Sequence, residues 1–97
     1  MSETNSILVV DADEVNGQFL VEELAKETFQ ARLVKSGFEA IELVDTLKFD
    51  LVLLDLNLQG MSGIDVLKVI RSRYSQSQIP VIMMNAVIGG SEMVEAF

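Results

Sequence analysis

The sequence predicts an α/β domain: a parallel sheet with helices on both faces. Short, wholly apolar runs rich in branched residues recur along the chain, as strands buried on both faces do. Stretches with apolar residues at helical spacing separate them, giving the alternation β-α-β-α-β-α-β-α. Three of the runs also stop abruptly at a polar residue, at Asp11, Asp55 and Asn85.

The first strand is Ile7-Leu8-Val9-Val10, ended by Asp11. Between Glu14 and Lys26, Val15, Phe19, Leu20 and Leu24 recur at helical spacing with acids between them, and Gly17 weakens that helix by ~1 kcal/mol against alanine. Residues Ala31 to Val34 form a second strand, punctuated by Ser36-Gly37. Ala40, Ile41, Val44 and Leu47 make the apolar stripe of a second helix, closed by Phe49 and Asp50. Leu51-Val52-Leu53-Leu54 repeats the first strand and stops at Asp55. After a loop at Gln59-Gly60-Met61-Ser62-Gly63, a third helix carries Val66, Leu67 and Ile70 toward Arg71 and Arg73, cations suited to a helix C-terminus. Ser75 to Gln78 is a polar connector. Pro80 opens a fourth strand, Val81-Ile82-Met83-Met84, at a position where a sheet tolerates proline. Gly89-Gly90 then turns the chain, Ser91 is the expected N-cap, and a fourth helix is expected from Glu92.

Composition narrows the function classes. The 97 residues make one domain, 1–97, with 49% hydrophobic and 23% charged residues, enough for a single core. There is no histidine and no cysteine, so imidazole catalysis, disulfides and thiolate metal sites are excluded from this sequence. Fifteen acids against seven bases give a net charge of −8, a field that repels nucleic acid. No apolar run approaches the roughly 20 residues of a membrane span, and Met1 to Ser6 lacks the basic start of a signal peptide. A cytoplasmic location is the expectation.

The strand ends are where chemistry is expected, because open parallel sheets bind ligands beyond the carboxyl ends of their strands. Asp11 and Asp55 each follow a dry strand. Two carboxylates brought together there repel, and a hard divalent cation with oxygen ligands relieves the repulsion. Mg²⁺ suits such a site better than a transition metal, since nitrogen and sulfur ligands are missing.

Ile7 to Asp11, then Leu51-Val52-Leu53-Leu54-Asp55-Leu56-Asn57-Leu58 with Gly63 closing the loop, and Pro80 leading to Asn85-Ala86, resemble the receiver domain of two-component response regulators. The resemblance runs from about Ile7 to Phe97. It implies a flavodoxin-like sheet of order 2-1-3-4 and a phosphoacceptor domain rather than an enzyme, beyond residual self-phosphorylation or dephosphorylation. Asp55 would receive a phosphoryl group from the phosphohistidine of a histidine kinase or phosphotransfer protein. Asp11, Asp55 and the backbone carbonyl of Asn57 would hold Mg²⁺, with Asp13 a further candidate ligand. Asn85 would donate to a phosphoryl oxygen, and Ala86 would leave room for it. A downstream effector would read the result.

Departures from the family pattern are specific. Ala12 stands where the family has a second acid directly after the first, Asn85 replaces a Thr or Ser, and Gln59 replaces a proline. The sequence stops before the family's fifth strand, its lysine and its fifth helix, and neither Lys48 nor Lys68 falls where that lysine would. Either this is a piece of a longer protein or another chain completes the sheet, and the open fourth-strand edge invites a homodimer or strand exchange. Two other functions compete. A degenerate receiver would act as a phosphorylation-independent interaction module. Alternatively, Asp11-Ala12-Asp13-Glu14-Val15 resembles the start of haloacid-dehalogenase-like phosphatases, with Asp11 as nucleophile and Asp13 as general acid/base.

Overall fold

A computed structural model describes residues 5–86 and 92–96, with side chains described through residue 84. The elements are β1 Ser6–Val10, α1 Glu14–Lys26, β2 Gln30–Val34, α2 Gly37–Thr46, β3 Leu51–Asp55, α3 Gly63–Arg73, β4 Val81–Ala86 and β5 Glu92–Ala96. The first four strands lie in the order 2-1-3-4, all parallel, as expected.

Strand parity sorts the side chains. Leu8, Val10, Val34, Val52, Leu54, Val81 and Met83 share one face of the sheet and pack with Ala40 and Val44 of α2 and Val66 and Ile70 of α3 in the main core. Ile7 and Val9 are buried on the other face, where α1 packs on β2 and β1. Each fully buried Leu, Ile or Val of this kind contributes about 1.5–3 kcal/mol. In β3 the alternation is visible directly: Val52 and Leu54 are buried, while Leu51, Leu53 and Asp55 are half-buried toward the α1 face.

Helix starts follow local chemistry. Asp13, Ser36 and Ser62 are the N-caps, each accepting a backbone N–H of the first turn, and Ser62 with Asp65 forms a reciprocal capping box. Arg71 and Arg73 do lie in the last turn of α3. The second helix ends at Thr46, before Phe49 and Asp50: Phe49 turns into the core, and Asp50 Oδ2 accepts from Ser6 N–H at 2.8 Å.

Three expectations are corrected. Only part of the expected α1 stripe packs: Leu20 and Leu24 are half-buried, whereas Val15 is 81% and Phe19 57% exposed. The close approach to the sheet is at Gly17, where an added Cβ would stand 2.5 Å from Leu33 Cδ1. The glycine costs helix propensity and gains a close approach to the sheet. Leu47, expected in the α2 stripe, is the C-cap and 46% exposed.

The third correction lies at the C-terminal side. Residues 92–96 form a strand rather than the start of a helix, pairing antiparallel with β4 from Ile82↔Ala96 to Ala86↔Glu92. An open β4 edge would leave backbone N–H and C=O groups unpaired, and residues 92–96 pair with them. The edge expected to recruit a second copy is thus filled from within the chain. The expected Gly89-Gly90 turn and Ser91 cap lie outside the described residues.

The loop from β3 to α3 passes very close to itself. A Cβ on Gly63 would lie 2.3 Å from the Asp55 carbonyl oxygen and 2.8 Å from Leu56 Cα, both backbone atoms that cannot swing aside. Gly63→Ala should therefore lower unfolding free energy by about 1–3 kcal/mol, measured as a fall in the urea midpoint at unchanged slope.

Candidate functional site at the carboxyl ends of β1 and β3

Register alone brings the two acids together. Val10 pairs with Leu54 across parallel strands β1 and β3, and Asp11 and Asp55 are the next residues on each. The ladder extends past β1, since Asp11 N–H donates to the Val34 carbonyl at 3.0 Å. Both acids have the parity of Val9 and Leu53, so they share the α1 face of the sheet at its carboxyl edge.

Asp11 is only 3% exposed and is the one buried charged residue among the described residues. Its carboxylate is held from two sides: Oδ1 accepts from Asp13 N–H at 2.9 Å, and Oδ2 accepts from Asn16 Nδ2 at 2.6 Å. Asp55 is half-buried, and its Oδ1 accepts from Asn57 N–H at 3.1 Å. Burial pushes the Asp55 carboxyl above its ordinary range. The Asp11 carboxyl adds to the rise through its charge and as a hydrogen-bond neighbour, while the N–H groups of Asn57 and Leu56 oppose it and lose.

The expected site residues fare differently. Asp11 and Asp55 converge, and Asn57 follows Asp55 on the same loop. Asp13 is spent otherwise: its Oδ1 accepts from Val15 N–H at 3.0 Å and Asn16 N–H at 3.2 Å as the cap of α1. Asn85 and Ala86 sit at the carboxyl end of β4, one and two residues past Met84, the register partner of Asp55. Their side chains lie outside the described residues. Lys48 lines a groove with Ser6 and Phe49 at the amino end of β1, away from the acids. Sequence reasoning missed Asn16, whose only signal was an amide five positions after the strand-end acid.

The donors gathered here are all oxygen. The ion pairs Lys26–Glu23, Lys35–Glu14 and Arg73–Asp45 lie elsewhere, so neither facing carboxylate owes its neutralisation to them. Among the described residues no three acidic, histidine or cysteine side chains converge as a metal cluster. A site of two carboxylates and a carbonyl fits a hard cation that keeps several waters, the habit of Mg²⁺.

A family model for the response regulator receiver domain matches residues 7–97. The chain belongs to this family. The DNA-binding response regulator MtrA of Mycolicibacterium paratuberculosis is 42% identical over 80 residues, covering 82% of this chain and 34% of that protein. The sensory transduction protein RegX3 of Mycobacterium bovis is 44% identical over 81 residues, covering 84% and 34%. This receiver domain therefore spans about a third of the curated relatives it matches. Among solved structures, the response regulator TrrA of Thermotoga maritima in complex with Mg²⁺–BeF superposes with a TM-score of 0.81 at 30% identity, over 88% of this chain and 72% of that one. The non-phosphorylated HemR receiver domain of Leptospira biflexa gives 0.78 at 31%, over 90% and 68%. The receiver is a signalling domain of two-component systems, and the phosphatase-like reading of Asp11 and Asp13 gives way to it. Among the described residues no helix is long and apolar enough to cross a membrane.

Because the folded state raises the Asp55 pKa, proton binding to Asp55 favours folding. That stabilisation is complete below the unfolded pKa and is lost as pH rises through the folded one. In the presence of EDTA at neutral pH, Asp55→Asn should raise Tm by a few degrees, the response that a fraction of a kcal/mol produces in a domain this size. Thermal scans at stepwise lower pH should show the advantage vanish as the wild-type carboxyl protonates.

Proposed function

We propose that this receiver domain is a phosphoacceptor in which Asp55 takes a phosphoryl group from a phosphohistidine on a histidine kinase or histidine phosphotransfer protein. The observation that carries the reading is the placement of a buried and a half-buried carboxylate one residue past the Val10–Leu54 register pair, with all-oxygen surroundings. The family match and the Mg²⁺-bound TrrA relative support it.

Asp11, Asp55 and the backbone carbonyl of Asn57 would hold Mg²⁺, which when bound supplies neutralisation of the charge that accumulates around the transferred group. An Asp55 carboxylate oxygen forms a bond to phosphorus, the phosphorus–nitrogen bond of the donor breaks, and the imidazole leaves and takes up a proton. The product is an acyl phosphate. The protein's part is positioning: the Asn57 N–H orients Asp55, and the Asp13 N–H and the Asn16 amide orient Asp11. Asn85 would donate a hydrogen bond to a phosphoryl oxygen from the adjacent strand end, and Ala86 would keep space beside it. Asp13, occupied as a helix cap, is a weaker ligand candidate than Asp11.

The domain would act in the cytoplasm and pass its state to a downstream effector domain or protein. Its −8 charge makes direct nucleic-acid contact by this segment unfavourable. Ala12 and Asn85 favour the interaction-module reading, Ala12 because a receiver short of an acid binds the cation more weakly.

Incubation with acetyl phosphate and Mg²⁺ should give one acyl phosphate per chain, seen by intact mass, and Asp55→Asn should abolish it. Ala12→Asp should tighten Mg²⁺ binding about tenfold by calorimetry, the scale of adding one charged oxygen ligand in a partly solvated site. Absence of any adduct with any donor, at saturating Mg²⁺, would favour the interaction module.

A further inference from the structure

Asn16 is the unexpected member of the site. It occupies the first turn of α1, and it is bound twice: its backbone N–H donates to Asp13 Oδ1 at 3.2 Å and its side-chain Nδ2 donates to Asp11 Oδ2 at 2.6 Å. Asp13 closes the circuit, because its own N–H donates to Asp11 Oδ1 at 2.9 Å. The strand-end acid, the helix cap and the first-turn amide thus form one hydrogen-bonded unit.

We infer that Asn16 is a positioning residue for the cation site, holding the Asp11 carboxylate in one orientation so that its remaining lone pairs face Asp55. The inference deepens the proposed function and rests on the Mg²⁺ reading.

Each carboxylate oxygen has two acceptor sites. One on Oδ1 goes to the Asp13 N–H and one on Oδ2 to the Asn16 amide, which pins the group against rotation about its terminal torsion and leaves an acceptor free on each oxygen. A short bond to a charged acceptor is stronger than a neutral one and grips accordingly. The amide also draws some electron density from the ligand oxygen, which weakens it as a donor to a cation. Orientation outweighs that loss here. Ala12 leaves Asp11 without the adjacent acid of the family pattern, so the cation depends on a single buried carboxylate of β1 being correctly aimed. Hydrogen-bond partners of metal ligands commonly carry 10–100-fold in affinity for this reason.

The test compares wild type, Asn16→Ala and the near-isosteric Asn16→Leu, neither of which has a side-chain donor. Mg²⁺ affinity is measured by calorimetry, and Tm is measured in EDTA. In Mg²⁺-free wild type, NMR should show the Asn16 side-chain amide protected from solvent exchange relative to Asn5. Both variants should bind Mg²⁺ at least fivefold more weakly, while Tm in EDTA moves by no more than a few degrees. Affinities within twofold of wild type, or a freely exchanging Asn16 amide, overturn the inference and leave the phosphoacceptor reading standing. A wild type that binds no Mg²⁺ overturns the cation reading itself, and the inference with it.

Discussion

Two carboxylates face each other at the edge of this sheet because β1 and β3 are neighbours in parallel register and each runs one residue past its last apolar pair. Nothing in the core asks for that arrangement. Like charges at close range in partly buried surroundings repel more strongly than in water, and the raised Asp55 pKa is in part the visible trace of that repulsion. The molecule tolerates it because β1 and β3 are locked by buried side chains on both sides of the register: Leu8, Val10, Val52 and Leu54 on one face, Ile7 and Val9 on the other. A shift of one residue would turn every one of these to the wrong side. Stability of the core and strain at the rim are two consequences of one pairing.

Around that pair, close approaches do what side-chain bulk cannot. Gly63 lets the loop after β3 fold back against the Asp55 carbonyl, and its N–H donates to the Leu56 carbonyl at 3.0 Å, fixing the backbone on which Asp55 and Asn57 sit. Gly17 lets α1 settle against Leu33, which sets the depth at which the first turn of α1 meets Asp11. The sheet supplies the acids, and two glycines supply the distances at which loop and helix reach them.

Signalling by a receiver requires a chemical event at the rim and a surface that reports it. The segment holds the two acids and the strand end of Asn85, yet spans about a third of the curated relatives it matches. Ala12 removes one acid from the family pattern, and the Asp13 N–H and the Asn16 amide hold the carboxylate that remains at Asp11.

The sequence by itself determined the four parallel strands, the three helices between them and the identity of the two acids, because a dry strand has no packing use for a carboxylate at its end. Asp13, read as a candidate ligand, is the cap of α1 in the structure, a place where an acid beside first-turn N–H groups is favoured. Only the tertiary structure decided three matters. That α1 turns Phe19 outward and comes closest to the sheet at Gly17 depends on the depth of the sheet beneath it, which helical periodicity does not contain. Whether residues 92–96 wind or extend depends on the unpaired edge of β4, a partner more than a local propensity. Which side chain steadies Asp11 depends on where the first turn of α1 lands over the end of β1. Each is a distance between separate segments of the chain, and local pattern carries no record of such distances.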